Sequence, residues 1–307
     1  MTATTAPGAS GAIVAPARAT RPVRLREMRR FVLGSPAGAA SLAFLIFVLL
    51  VAVFADGLAP RDPLTTSMGV ARRPPSAEYV FGTDHLGRDA LSRLIHGTRV
   101  TLTVVLTSVL IGDVIGFVWG LTSGYLGRRF DLLSQRVLDV LMAFPALILA
   151  MLLLAGLGAG LHTVIIAIAV TRVPLTTRVI RSVTLAVKEM TYITAAQSVG
   201  ATPSGIMLRH VAPQCIAPLL VIASFNLGSA IFAEAALNFL GVGLPPPAPT
   251  WGSMLGGVLA EQFRPQWWLL LFPGLAITLT IVATNLLGDA LRDFLDPRVK
   301  RQLQVSS

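Results

Sequence analysis

The sequence contains few residues of the kinds that bind metals or cross-link a fold. Cys215 is its only cysteine, so the chain cannot form an internal disulfide. The four histidines lie in separate segments, and neither they nor the cysteine form a zinc or haem motif. The histidines are His85, His96, His162 and His210. We therefore expect a chain without a metal or other cofactor of its own.

Charged residues are also scarce. They make up 13% of the 307 residues, whereas hydrophobic residues make up 54%, and the mean hydropathy is +0.72. Soluble domains rarely have this balance, so the composition indicates a protein that crosses a membrane several times. The net charge of +10 does not require nucleic acid, because basic residues accumulate in the cytoplasmic loops of membrane proteins. We expect lipid as the surrounding partner and no nucleic acid.

Six apolar runs approach the length of about 20 residues that a helix needs to cross the hydrocarbon. The run around 162–180 is the weakest, because Arg172 and Pro174 interrupt it. The sequence thus predicts an all-α membrane protein with six transmembrane helices. The runs cover about 37–55, 100–123, 137–158, 162–180, 215–236 and 267–288.

Basic residues predict how the chain is oriented. When the N-terminus is placed in the cytoplasm, most of the 25 basic residues fall on the cytoplasmic side, as the positive-inside rule requires. Both termini and residues 181–213 are then cytoplasmic. Residues 1–36 read as a disordered tail rather than a signal peptide, because the apolar run starts late and is long enough to span. The remaining divisions are 37–97 (first helix and outer loop), 98–290 (five-helix core with a loop at 190–213) and 291–307 (C-terminal tail).

Small residues form a stripe in the second apolar run. Glycines spaced four apart share one face of a helix, where they let a second membrane helix approach closely. We expect this stripe to pack against another helix or a partner subunit. Its members are Gly112, Gly116, Gly120 and Gly124.

Two acidic residues lie within apolar runs. Asp113 is deep in the second run, and Glu234 is late in the fifth. A charge at the centre of a membrane helix costs roughly 2.5–3.5 kcal/mol on insertion scales, so such groups face the protein interior or a water-filled cavity. Each is a candidate for lining a polar pathway, with a hydrogen-bonded packing residue as the alternative.

Two outer segments have amphipathic character. Residues 81–102 contain a short apolar face and an Asp89–Arg93 pair at i,i+4, which favours an elbow lying on the membrane surface. Residues 237–255 are expected to form a proline-rich extracytoplasmic loop that contacts a delivered substrate or a docking partner, with plain anchoring at the membrane interface as the alternative. The tryptophans near it favour a position at the membrane interface, and they are Trp251, Trp267 and Trp268.

The stretch ITAAQSVGATPSGIMLRHVAP, residues 193–213, has the pattern of a helix, a glycine and a second helix. Gly200 suits the left-handed position after a helix. Thr202 can cap the next helix, with Pro203 in its first turn. Small side chains on an exposed helix allow close approach to another protein. We interpret the stretch as a docking element for a cytoplasmic subunit, with a plain connecting loop as the alternative.

The same stretch resembles the EAA loop of bacterial ABC importer permeases, E-A-A-x3-G-x9-I-x-L-P. Four residues match this pattern, and three depart from it. Thr194 replaces the glutamate, His210 takes the isoleucine position and Ala212 replaces the leucine. The matching residues are Ala195, Ala196, Gly200 and Pro213. The resemblance implies that Thr194, His210 and the matching residues couple the chain to an ATPase.

Four stretches resemble the second permease subunit of dipeptide/oligopeptide/nickel importers, and the likeness extends over about 40–300. They are 81–102, 144–150, 237–255 and 285–298. The resemblance implies a type I ABC permease fold in the bacterial cytoplasmic membrane and peptide as substrate. It also implies a homologous second permease subunit, two ATP-binding subunits that carry ATP and Mg, and an extracytoplasmic substrate-binding protein. This chain has no Walker A pattern, so we expect a transport subunit rather than an enzyme.

Three alternatives remain at this point. A permease of the same family could carry nickel chelates or another small solute. An ion-coupled secondary transporter would work without an ATPase, but it would leave the docking stretch without a purpose. An intramembrane enzyme would need a nucleophile and a base at helical spacing within a span, and the sequence offers no such pair.

Overall fold

A computed structural model describes residues 35–259 and 266–295 of the chain. These residues form α-helices joined by loops, and the described part contains no β-strand. The helices are α1 (Pro36–Val53), α2 (Ala55–Leu58), α3 (Ala90–Leu126), α4 (Arg128–Met142), α5 (Ala146–Leu157), α6 (Leu161–Lys188), α7 (Thr191–Ser198), α8 (Pro203–Ile206), α9 (Ala212–Phe239), α10 (Trp251–Leu259) and α11 (Trp267–Leu295). A 3₁₀ turn lies at Met68–Val70, and a π-helical turn at Met207–Val211 joins α8 to α9.

Five helices are long and apolar enough to cross a membrane, namely α1, α3, α6, the continuous Pro203–Phe239 and α11. A sixth crossing exists if α4 and α5 count as one span, although they are bent by 89°. The all-α membrane class is confirmed. The predicted 137–158 span is not one straight helix, because the chain breaks before α5 at Pro145, whose ring disfavours helix in the preceding residue.

Helix α6 continues through Pro174 without a break. The predicted interruption at Arg172 and Pro174 is therefore wrong. Proline is tolerated in membrane helices because neighbouring helices and polar side chains satisfy the freed carbonyl group. This continuity places Arg172 near the middle of a helix that is long enough to cross a membrane.

Helix α3 begins earlier than predicted. Residues 90–102 are its first turns, so the predicted elbow is not a separate element. The Asp89 carboxylate caps α3 by accepting hydrogen bonds from the backbone N–H and the hydroxyl of Ser92, at 2.8 and 2.7 Å. Arg93 instead lies 3.6 Å from the carboxylate of Asp84. The predicted Asp89–Arg93 ion pair is therefore wrong.

The glycine stripe of α3 lies directly against α6. A Cβ atom added at any of its four positions would lie 2.5–2.8 Å from an atom of α6. The backbones of the two helices thus approach too closely for any side chain at these positions. The opposing residues are Ala169, Thr176, Thr177 and Thr184.

Two of the three predicted interface tryptophans are buried. Trp251 is 1% exposed and donates its indole N–H to the carbonyl oxygen of Leu94, at 3.3 Å. Trp268 donates to the carbonyl of Thr83, also at 3.3 Å. These two rings therefore do not face lipid, because Trp251 joins α10 to α3 and Trp268 joins α11 to the loop after α1. Trp267 is 56% exposed.

The predicted tails mostly lie outside the described residues. Of the N-terminal tail 1–36, only 35 and 36 are described, and α1 begins at Pro36 with the Ser35 hydroxyl accepting a hydrogen bond from the Gly38 N–H. Of the C-terminal tail 291–307, residues 291–295 continue α11.

Candidate functional site

The 190–213 segment forms two helices at a sharp turn. The turn after α7 is a Schellman motif, in which Gly200 N–H bonds to Gln197 O at 3.0 Å and Ala201 N–H bonds to Ala196 O at 3.1 Å. Gly200 has φ +82°, a conformation that glycine adopts without the steric cost of a Cβ. Thr202 then caps α8 by accepting a hydrogen bond from Gly205 N–H at 3.2 Å.

One side of this segment is fixed to the rest of the chain. Ile193, Ile206 and Val211 are fully buried, and they pack with residues from the ends of α3 and α6. The residues they join include Leu121, Ile180, Val187 and Cys215. The buried side makes the segment part of the same rigid body as those helix ends.

The other side of the segment is open. Thr194, Ala195 and Pro213 are exposed, and the space around Gly200 contains no atom within 4 Å of an added Cβ. Ala196 and His210 are only partly buried. The structure thus places the predicted coupling residues along one segment, with most of them exposed.

Two exposed apolar residues in this segment escaped the sequence analysis. Val199 is 85% exposed and Leu208 is 61% exposed. Their sequence signal was weak, because an apolar residue in a helical pattern reads as part of a buried face. Apolar groups that project from an otherwise polar, small-residue surface suit contact with another protein.

Polar contacts tie α4 and α6 together near this segment. Asp131 of α4 accepts hydrogen bonds from Arg181 and from the hydroxyl of Ser123, the latter at 2.6 Å. Lys188 donates to the carbonyl of Tyr125 at 2.8 Å. These contacts link the ends of α3, α4 and α6 into one unit below the segment.

Asp113 lies in a polar cluster among three helices. Its Oδ1 atom accepts hydrogen bonds from the Thr176 hydroxyl and the Asn226 amide, each at 2.6 Å. The residue is 5% exposed, and its Oδ2 atom is buried without a hydrogen-bond partner among the described residues. The cluster joins α3, α6 and α9. These bonds support packing directly, while the pathway role of Asp113 stays a prediction.

Glu234 is fully buried and joins α9 to α3. Its carboxylate lies 3.3 Å from the Thr101 hydroxyl, and its Oε1 accepts a hydrogen bond from the Asn238 amide at 2.8 Å. Here too the pathway role stays a prediction. The sequence analysis missed the partners of both acids, although Thr101, Thr176 and Asn226 are polar residues within apolar runs.

Arg172 was also missed as a membrane-buried charge. It donates a hydrogen bond from Nη1 to the Ser229 hydroxyl at 2.5 Å, and from Nε to the Thr171 hydroxyl at 3.2 Å. Ser229 is exposed on the surface of the described chain. This arrangement places a guanidinium on the seam between α6 and α9.

These features define a class: a helical membrane protein of several spans, with an exposed helix–turn–helix fixed to one end of its bundle. The family model described as "Binding-protein-dependent transport system inner membrane component" matches residues 116–301. The chain belongs to this family of ABC importer permeases and has its type I permease fold. The predicted family is thus confirmed, and the chain is a transport component rather than an enzyme.

Several relatives resemble almost the whole chain. A putative peptide transport system permease protein of Brucella suis biovar 1 (strain 1330) is 42% identical over 277 residues, which is 90% of each chain. The di/tripeptide transport system permease protein of Pseudomonas aeruginosa (strain UCBPP-PA14) is 39% identical over 91% of this chain and 94% of its own length. The glutathione transport system permease protein of Escherichia coli O1:K1 / APEC is 41% identical, over 84% of this chain and 85% of its own.

Proposed function

We propose that this chain is one of two homologous permease subunits of an ATP-driven importer for di- and oligopeptides. The family and the names of the relatives support the proposal. The other parts of the importer are two cytoplasmic ATP-binding subunits, which hold ATP and Mg, and an extracytoplasmic substrate-binding protein. This chain forms half of the translocation pathway in the bacterial cytoplasmic membrane.

The structural observation that carries the proposal is the two-sided 190–213 segment. Its open side, with Val199 and Gly200, offers a small, partly apolar surface to a groove in an ATP-binding subunit. Its buried side is fixed to the ends of α3 and α6. A displacement of the segment by the ATPase would therefore move these helices as a body. Movement of this kind is how alternating access arises from rigid-body rotation.

The basic residues around the segment support its cytoplasmic position. Arg181 and Lys188 precede it and Arg209 lies within it, as expected for the cytoplasmic side of a membrane protein. Both termini then lie in the cytoplasm as well, if α1, α3, α6, α9 and α11 cross in alternating directions and the bent pair of α4 and α5 counts as one crossing.

The side of the bundle opposite the 190–213 segment offers a surface for the substrate-binding protein, and polar contacts hold this surface in place. Asp56 accepts hydrogen bonds from Arg99 at 3.0 Å and lies 3.2 Å from His96. The hydrogen bond from Arg99 is the main reason that the pKa of Asp56 lies below its usual value. Asp84 and Arg88 form a further ion pair at 2.6 Å. These contacts fasten the loop after α1 onto the first turns of α3.

The test is reconstitution of the chain with its partner subunits in liposomes. We expect uptake of labelled di- to pentapeptides that requires ATP and the binding protein, and that is lost when this chain is omitted. A labelled nickel chelate is measured beside them. Uptake of the chelate in place of peptide would contradict the peptide assignment. Uptake driven by an ion gradient without ATPase subunits would contradict the importer itself.

A further inference from the structure

Arg172 lies near the middle of α6, a helix that is long and apolar enough to cross a membrane. It is the twelfth of the 28 residues of α6, which places it about 17 Å along the helix at a rise of 1.5 Å per residue. The hydrocarbon layer is roughly 30 Å thick. A Cβ added at Gly112 would lie 3.0 Å from the Cβ of Arg172, so Arg172 is level with the polar cluster around Asp113.

The guanidinium of Arg172 is only partly satisfied within the chain. Its two hydrogen bonds go to the hydroxyl groups of Thr171 and Ser229. A guanidinium has five N–H donors, so donors remain for a further group. No carboxylate of the described residues lies within 4.0 Å of it. Asp113 attracts it electrostatically, but the Oδ1 atom of Asp113 is engaged by Thr176 and Asn226.

The surface that carries this charge is not suited to lipid. The Arg172 guanidinium and the exposed Ser229 hydroxyl lie together on this surface. A charge facing lipid at the membrane centre costs roughly 2.5–3.5 kcal/mol or more, whereas one facing a water-filled cavity avoids that cost. This cost favours a position for the α6–α9 seam in the interior of the assembled importer rather than against lipid.

We propose that Arg172 and Ser229 form a carboxylate-binding site on the wall of the translocation pathway, and that it holds the C-terminal carboxylate of the peptide in transit. The inference rests on the proposed function. Arginine binds carboxylates through two parallel N–H donors. The Ser229 hydroxyl accepts from Nη1 and lies 3.2 Å from the carbonyl groups of Phe225 and Asn226. It therefore orients the guanidinium and leaves its other donors for the ligand.

Asp113 gives the site a second property. When ionised, Asp113 attracts Arg172 electrostatically, although the two side chains form no ion pair within 4.0 Å. A nearby carboxylate lowers the attraction between Arg172 and an incoming anion. Transport requires binding that is strong enough for entry and weak enough for release. The arrangement therefore suits a transit site rather than a storage site.

The test compares two forms of one labelled tripeptide, with a free C-terminal carboxylate or a C-terminal amide, in the reconstituted complete importer. Peptides are chosen so that the wild type imports both forms measurably. For Arg172→Gln we expect uptake of the free acid to fall about tenfold or more, as for loss of a charged hydrogen bond. Uptake of the amide should change little. The ratio of the two rates reports the carboxylate contact and does not respond to a general loss of folded importer.

Two further variants keep the test decisive. Ser229→Asp supplies a carboxylate beside an intact Arg172, and we expect it to lower uptake of the acid more than of the amide. Arg178→Gln is the matched control, because Arg178 lies on the same helix but is paired with Asp139 at 2.6 Å. We expect Arg178→Gln to leave the acid-to-amide ratio unchanged.

Two outcomes distinguish failure of the carboxylate-site inference from failure of the proposed peptide function. If Arg172→Gln lowers both forms equally while the wild type imports both, the inference is wrong. Arg172 then stabilises the fold or pairs with a carboxylate of the other permease subunit. If the wild type imports neither form with ATP, the proposed peptide function fails instead.

Discussion

Glycine serves opposite purposes in two regions of this molecule. In α3, Gly116 and Gly120 lie so close to α6 that any Cβ would meet it within 2.7 Å. In the 190–213 segment, Gly200 has open space around it and a φ of +82°. The first region needs the absence of a side chain, and the second needs the backbone conformation. Glycine in α3 thus allows two membrane helices to pack closely. Gly200 instead allows a left-handed turn and leaves the adjacent surface of the segment free for contact with another protein.

The largest effect is expected from a side chain in the closed region. Gly120→Leu would drive a Cβ to 2.5 Å from the backbone oxygen of Thr177, and relief would require the two helices to separate. Overpacking typically costs about 1–3 kcal/mol and occasionally more. We expect little folded protein, measured as the monodisperse yield after extraction from the membrane.

Gly156→Leu is the matched control for that experiment. Gly156 also lies in an apolar helix, α5, but no atom lies within 4 Å of its added Cβ. We expect a near-normal yield. Equal losses for the two variants would contradict the assignment of the α3–α6 seam as the tightly closed region.

The second effect concerns transport rather than folding. Val199→Asp places a charge at the most exposed apolar position of the 190–213 segment. We expect its Tm to match the wild type, because Val199 has few contacts to lose. Peptide-dependent ATP hydrolysis and uptake should fall about tenfold or more, as for a buried interface charge without a partner. The readout is both rates in the reconstituted importer.

Val80→Asp is the control for surface charge as such. Val80 is 54% exposed and belongs to the loop after α1, on the other side of the membrane in the proposed orientation. We expect ATP hydrolysis to remain coupled to uptake. A Val199 variant with normal rates would show that the open side of the segment is not a docking surface.

The sequence analysis succeeded in both of these regions. The turn at Gly200 and the cap at Thr202 followed from local chain chemistry, so residues 199–203 were enough to predict them. The glycine stripe predicted close packing because helical spacing alone puts its members on one face. Neither pattern depended on distant residues.

The errors arose where distant parts of the chain decide the structure. Arg172 and Pro174 were expected to interrupt their apolar run, because an isolated charge and a proline suggest a helix end. Only the packing of α6 on α3 and α9 shows that the helix continues. Trp251 was predicted to lie at the membrane interface. Its burial could not be predicted locally, because it depends on contact with Leu94, which lies far away in sequence. The Asp89–Arg93 pair failed because Asp84, on a folded-back loop, takes Arg93 instead.

A smaller effect is expected at Gly200, where two substitutions distinguish the cost of the backbone conformation from the effect of side-chain size. Gly200→Ala forces a Cβ into a left-handed conformation, at a cost of about 1–2 kcal/mol. Gly200→Leu has the same backbone cost, and its added Cβ meets no atom of this chain. We expect the two variants to have similar Tm values but Gly200→Leu to transport peptide more slowly, because its bulk meets the ATPase.

Gly200→Asn completes that series, since asparagine tolerates the left-handed region better than alanine does. It tests the backbone cost with a side chain of moderate size. We expect its Tm to exceed that of Gly200→Ala. Equal transport by the alanine and leucine variants would show that no partner approaches Gly200.

The smallest effect is expected from the cap of α8. Thr202 accepts a hydrogen bond from Gly205 N–H at 3.2 Å, and loss of such a cap typically costs about 0.5–2 kcal/mol locally. Because the buried side of the segment, with Ile193 and Ile206, remains in place, Thr202→Ala should loosen only its open side. We expect a nearly unchanged Tm and uptake reduced a few-fold at most, while Thr202→Ser retains the cap and behaves as the wild type. A fall in Tm as large as that for a buried residue would mean that the open side helps to hold the bundle together. The division between a closed bundle and an open segment would then be wrong.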